Sequence, residues 1–89
     1  MSERPVESEG GVRSTDIVAR PGGVMTDEVG AVTGDLTLRT ELADDGTVTQ
    51  RVQYVGADEW YTVTGGRTSL DGRTLDEIHK EAVAQLGRS

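Results

Sequence analysis

His79 is the only imidazole in a chain that has no cysteine. Grouped with the carboxylates of Asp58 and Glu59, it makes the one candidate acid–base set, the basis for reading the chain as a small enzyme or enzyme subunit. One imidazole without thiolates supplies neither a histidine metal triad nor a cysteine-based zinc or iron–sulfur site, so no metal and no cofactor are expected. An imidazole on a helix is ordinarily solvated, and that is the state expected of His79. Asp44-Asp45-Gly46 sets two carboxylates beside a glycine, but a calcium loop of the EF-hand kind needs ligands at about five or more positions and a closing glutamate. A hairpin turn accounts for it better. The glycine pairs at 10–11, 22–23 and 65–66 lack the lysine and hydroxyl residue of a phosphate-binding loop. A body this small also has little room for a ligand pocket of a few hundred Å3. Catalysis is not the expected role.

Recognition chemistry is the stronger theme. Arg39 and Arg51 stand on predicted strands, and Trp60, Tyr61 and Arg67 follow within the same half of the chain. Guanidinium forks beside rigid aromatics are the composition of binding hot spots. Two arrangements fit these residues. In one, Arg39, Arg51 and Trp60 share an open sheet face. In the other, the arginines make cross-strand pairs with Glu41 or Glu59 while Trp60 fills the core of a domain that has no Phe. Alternation on the third strand sends either Trp60, Thr62 and Thr64 or Tyr61 and Val63 to the open face, and only the register decides between them.

Composition bounds the remainder. Eighty-nine residues and 9.5 kDa predict one small soluble domain whose burial and stability are modest. Eleven Val and six Leu, against three aromatic residues, predict a thin layer of β-branched side chains. Sixteen acidic residues against nine basic ones disfavour nonspecific attachment to nucleic acid or to a membrane surface. No apolar run approaches the roughly 18 residues of a membrane span, and Met1-Ser2-Glu3-Arg4-Pro5 does not begin a signal peptide. A cytoplasmic location is therefore expected. Eight Arg against one Lys, with no Asn, reads as the codon bias of a GC-rich bacterial or halophilic genome.

The elements that must position these residues fall in three zones. Residues 1–14, with Glu3, Glu7, Glu9 and paired glycines, predict a disordered tail. Residues 15–34 predict an irregular arm or short edge strands: one at Thr15–Arg20, stopped by Pro21-Gly22-Gly23, and over Val24–Thr33 either another short strand or an irregular arm, broken by Gly30 and Gly34. Such an arm offers Ile17, Val18, Val24 and Met25 as apolar anchors for a partner. Residues 35–89 predict a single α+β domain. Leu36, Leu38, Thr40 and Leu42 alternate with Thr37, Arg39 and Glu41, and Val48, Val52 and Tyr54 share a face with Gln50 between them. A turn at Ala43–Gly46 makes these two strands a hairpin. Trp60–Thr64 predicts a third strand and Arg67–Leu70 a short fourth. Thr74-Leu75-Asp76-Glu77 matches a capping box, Leu75, Ile78, Ala82, Val83 and Leu86 form one apolar stripe, and Gly87 ends the helix. Asp76 and Lys80 form an i,i+4 pair on its solvent side.

The expected fold is thus a three- to four-stranded antiparallel meander with one C-terminal helix on one face. Leu36, Val52 and Ile78 should share one core, leaving the opposite face free. In topology this order resembles the three-stranded DNA readers, the ethylene-response-type domains and the arm-binding domains of phage integrases, along the stretch from Trp60-Tyr61-Thr62-Val63 to Ala82. The resemblance implies DNA contact through Arg39, Arg51, Trp60 and Arg67. Ten acidic against six basic residues from Asp35 to Ser89 oppose it. The leading expectation is a small noncatalytic bacterial module that binds another protein through its sheet face, sheet edge or N-terminal arm, as an adaptor, an inhibitor or antitoxin, or an accessory-complex component. Homodimerisation through the sheet is a further expectation.

Overall fold

The structure is a computed structural model that describes residues 11–88. Period-two alternation builds β4 (Asp35–Leu42) and β5 (Thr47–Tyr54), paired antiparallel from Leu36 opposite Tyr54 to Leu42 opposite Val48. The turn between them closes as its chemistry requires. Gly46 N–H donates to Ala43 O at 2.9 Å, and Asp45 Oδ1 accepts from the Thr47 amide at 2.9 Å.

The sheet is wider than the expected three or four strands. β1 (Val12–Val18) pairs antiparallel with β4, while β6 (Tyr61–Thr62) and β7 (Thr68–Ser69) both pair with β5. Its order is β1-β4-β5-β6, five strands counting β7. β1 is an edge strand, as one reading of 15–34 held, but it begins at Val12, inside the expected tail. Its residues carry no apolar alternation, because polar contacts hold them instead. Arg13 donates to Asp76, Thr15 meets His79, and Asp16 accepts from Thr37 at 2.8 Å. The remainder of the expected tail, residues 1–10, lies outside the described residues.

Of the two readings of Val24–Thr33 the strand one holds, as two short strands in a hairpin rather than one. β2 (Val24–Thr26) and β3 (Gly30–Val32) pair with each other, and the hairpin docks on the edge of β6. There Asp27 N–H donates to Thr62 O at 3.0 Å and Thr64 N–H to Met25 O at 2.9 Å. Ile17 and Val24, expected as anchors for a partner, are buried in the chain's own core, while Val18 and Met25 stay exposed.

α1 (Leu75–Leu86) starts in the expected capping box: Thr74 Oγ1 accepts from the Glu77 amide and Glu77 Oε1 from the Thr74 amide. It ends at Gly87, where a Cβ would stand 3.0 Å from Val83 O and 3.2 Å from Ile17 Cβ. Glycine is needed there for the close approach to β1, since its φ of −97° is open to any residue. The approach is fastened by Arg88 N–H donating to Val18 O at 2.7 Å and Arg20 N–H to Leu86 O at 3.1 Å. Asp76, expected to pair with Lys80 on the helix, ion-pairs instead with Arg13 of β1.

The helix and the β2–β3 hairpin both contribute to the core over the Leu36–Leu38–Val52 face. That core is not the single cluster expected. Leu36, Leu38 and Val52 pack with Ile17, Val24, Val32, Val63 and Ala82, whereas Ile78 packs with Val48 and Leu75. Of the four buried polar side chains among the described residues, Thr40, Gln50 and His79 meet between sheet and helix and Thr26 lies on β2. The helix still lies on one face, with Ala82 reaching the first cluster and Leu75 and Ile78 the second. Each fully buried aliphatic side chain contributes about 1.5–3 kcal/mol of transfer free energy, so the two clusters supply most of what holds the layers together.

Candidate functional site

Inward residues at even positions of β4 and β5 send the odd positions outward. Thr37, Arg39, Glu41, Thr49, Arg51 and Gln53 all lie half-exposed on that outer face, and no described element covers them. Register settles the third strand: Thr62 stands opposite Arg51 and Tyr61 opposite Val52. Trp60 accordingly falls on the outer face. It is half-buried, with the Arg39 guanidinium carbon 5.4 Å from its ring centroid. A guanidinium over an indole is held by the ring quadrupole and by dispersion, worth about 0.5–1 kcal/mol where water still reaches it.

Arg39 and Arg51 are direct cross-strand partners, a repulsive arrangement by itself. Glu41 lies between them. Its Oε1 accepts from Arg51 Nε at 3.2 Å, and its Oε2 lies 2.9 Å from Arg39 Nε. The second contact is an ion pair without the alignment of a hydrogen bond, and Arg39 Nε has no aligned acceptor among the described residues. The polar line continues sideways. Arg51 Nη1 donates to Thr62 Oγ1 at 3.1 Å, and the Thr62 hydroxyl donates to Glu28 Oε2 at 2.9 Å. Glu28 also accepts from the Thr62 amide at 2.7 Å. The Thr62 backbone bond, then its hydroxyl, holds the Glu28 carboxyl below its ordinary range, with a smaller contribution from Arg51. Two carboxylates thus stand beside two guanidinium groups, and the face carries no basic excess.

The other two expected residues lie elsewhere. Tyr61 is turned toward the helix side, edge-on to Tyr54 at 6.4 Å and 81°. Its hydroxyl donates to Glu59 Oε1 at 2.9 Å, and that bond raises the phenol above its ordinary value. Arg67 is exposed at the far end of β5. Its neighbour Thr68 faces Val48, three positions from Arg51, or about 10 Å along the strand.

His79 is not solvated. It is 7% exposed, and both ring nitrogens are engaged: Nδ1 lies 2.7 Å from Thr40 Oγ1 and Nε2 lies 2.7 Å from Thr15 Oγ1. The Thr40 hydroxyl donates to Gln50 Oε1 at 2.7 Å, so its oxygen accepts from Nδ1–H, and Nε2 accepts from Thr15. The imidazole is neutral in this arrangement. Burial, reinforced by the Arg13 charge and opposed by Asp76, lowers its pKa. Neither Asp58 nor Glu59 meets it, so the expected acid–base set is not assembled. Polar Thr40 and Gln50 at inward positions of an otherwise apolar alternation were the signal of a buried polar partner. Among the described residues no group of three His, Asp or Glu is arranged to hold a metal ion, and no helix is long and apolar enough to cross a membrane.

No protein-family model matches the chain, and no curated protein or solved structure is significantly similar to it.

Proposed function

We propose that this chain is a noncatalytic protein-binding module whose recognition surface is the outer sheet face centred on Trp60, Arg39 and Arg51. One observation carries the reading. The single tryptophan is half-exposed on the face away from the helix and stacked against a guanidinium, although a core without phenylalanine has most use for it. A rigid aromatic with an ordered arginine loses little side-chain entropy on binding and presents both apolar area and hydrogen-bond donors. Glu41 and Glu28 balance the arginines, which favours a protein surface of mixed charge over a phosphate backbone. The buried, doubly hydrogen-bonded His79 supports a structural rather than a chemical role for the imidazole.

Calorimetric titration against candidate partner proteins, beginning with the products of neighbouring genes, tests it. A saturable isotherm is expected. Trp60→Ala weakens it by about 30-fold or more, the hot-spot threshold of about 2 kcal/mol. Lys80→Ala, on the exposed side of α1, leaves it unchanged. Binding that persists undiminished in both Trp60→Ala and Arg39→Ala, or no binding at all, overturns the reading.

A further inference from the structure

Besides the outer face, the molecule has a cleft of about 270 Å3 between α1 and the loop that follows β6. Its walls are apolar where Val63, Ile78, Ala82 and Leu86 line it, and Gln50 reaches it from β5. Gln50 is 6% exposed, yet only one end of its amide is satisfied. Oε1 accepts from Thr40, while Nε2 has no partner among the described residues and is not sealed from solvent. Solvent reaches that N–H in place of a protein acceptor, and a ligand carbonyl would take the water's position.

Thr15, His79 and Thr40 form a hydrogen-bonded series that ends on Oε1, which leaves the NH2 group for the cleft that Gln50 lines. The stem is held too. The loop backbone lies so close that a Cβ on Gly66 would stand 2.9 Å from both Cβ and Cγ of Gln50. A side chain fixed by three others, with its free donor on a cleft, is built as a binding group is built.

We propose that this cleft is a binding site for a neutral amide-bearing ligand whose carbonyl accepts from Gln50 Nε2 and whose short aliphatic body lies on Ile78, Ala82 and Leu86. Charge selects the class. Arg73, the cation lining the cleft, is already paired with Glu81, so a carboxylate would lose its hydration without gaining an unpaired counter-charge. An amide gives up less, and its N–H finds an acceptor in the Glu81 carboxylate on the same lining. The ligand is either a free small amide or an amide side chain presented by a partner.

The chain has three glutamines and no asparagine, so its side-chain NH2 region in a 15N correlation spectrum holds three pairs of signals, from Gln50, Gln53 and Gln85. The full chain is titrated with 2-pyrrolidinone, with the capped tripeptide acetyl-Ala-Gln-Ala-amide, and with acetate. The Gln50 pair is expected to shift saturably with an amide probe, while the Gln53 pair on the outer face stays still. Saturation by the lactam assigns a free small molecule, and saturation by the peptide alone assigns a partner's side chain. Absence of a saturable Gln50 shift with both amides overturns the proposal, and so does an equal response to acetate. Gln50→Glu removes the donor with little change of shape and should abolish the shifts of the Gly65 and Gly66 amides. Gln85→Phe fills the mouth from an exposed position without touching the buried series, and retained binding in that variant also overturns the proposal. Trp60→Ala should leave the titration unchanged, which separates this site from the sheet-face reading.

Discussion

The Nδ1 nitrogen of His79 lies 2.7 Å from the hydroxyl oxygen of Thr40, so the one imidazole of the chain is fastened to the middle of the sheet. Thr15 on β1 closes the other nitrogen at the same distance. The helix is therefore tied to two strands by a polar contact that runs beside two apolar clusters.

Stability should depend on pH through that imidazole. Its pKa in the folded protein lies below the ordinary value of 6.5, mainly through burial. The unfolded chain then takes up the proton first as pH falls. The contribution is complete above 6.5, is lost as pH drops below it, and levels off once the folded-state value is passed. The carboxyls of Asp76, Glu28 and Asp45 are lowered from ordinary values of 3.8 and 4.5 and act only at more acidic pH. Urea midpoints measured from pH 7.5 to 5 should fall in the wild type and stay level in His79→Gln. A level wild-type profile would show that the imidazole is hydrated.

Thr40→Val keeps the shape of the side chain and removes one hydroxyl. Gln50 Oε1 loses its donor and His79 Nδ1–H its acceptor, both in buried surroundings. The expected loss is about 2–6 kcal/mol by chemical denaturation, at about 1–3 kcal/mol for each orphaned group. Thr49→Val, on the outward side of the neighbouring strand, should change stability by less than about 0.5 kcal/mol.

Leu38→Ala opens a cavity at the centre of the larger cluster, where the side chain is fully buried between β1 and β5. A cost of about 2–5 kcal/mol is expected, which for a domain of this size is a large part of the total. A thermal melt that moves by only a degree or two would contradict the packing described.

Trp60 emission should report a half-exposed indole: red-shifted relative to a core tryptophan and quenched by acrylamide in the native state. Arg39→Ala removes the guanidinium from the ring and should raise the quenching constant without changing the far-ultraviolet circular dichroism. A blue-shifted, unquenched emission would place the indole inside and remove the outer face as a recognition surface.

Much of this was legible from residue order. The Leu36–Leu42 alternation, the Asp45-Gly46 turn and the Thr74–Glu77 capping box each carry a local rule that tertiary contacts left intact. β1 was half legible: its Arg13-Ser14-Thr15-Asp16 core is polar, and it is a strand through backbone pairing with β4, 17 to 29 residues away, and side-chain partners 21 to 64 residues away. His79 was misread for the same reason, since Thr15 and Thr40 lie far from it in sequence. On the outer face, the presence of Arg39, Arg51 and Trp60 was legible. The sharing of Glu41 and the turning of Tyr61 to the other side depended on register, which alternation leaves open.

The seam between Val18–Arg20 and Leu86–Arg88 bears on the order of assembly. A strand near the beginning of the chain completes its hydrogen bonds only after residues some seventy positions later have emerged from the ribosome. Local pieces such as the β4–β5 hairpin form early, whereas closure waits for the most distant loop to be drawn shut. Folding is therefore expected on the millisecond-to-second scale of proteins rich in nonlocal contacts, with a nascent chain halted before residue 86 still open to proteases.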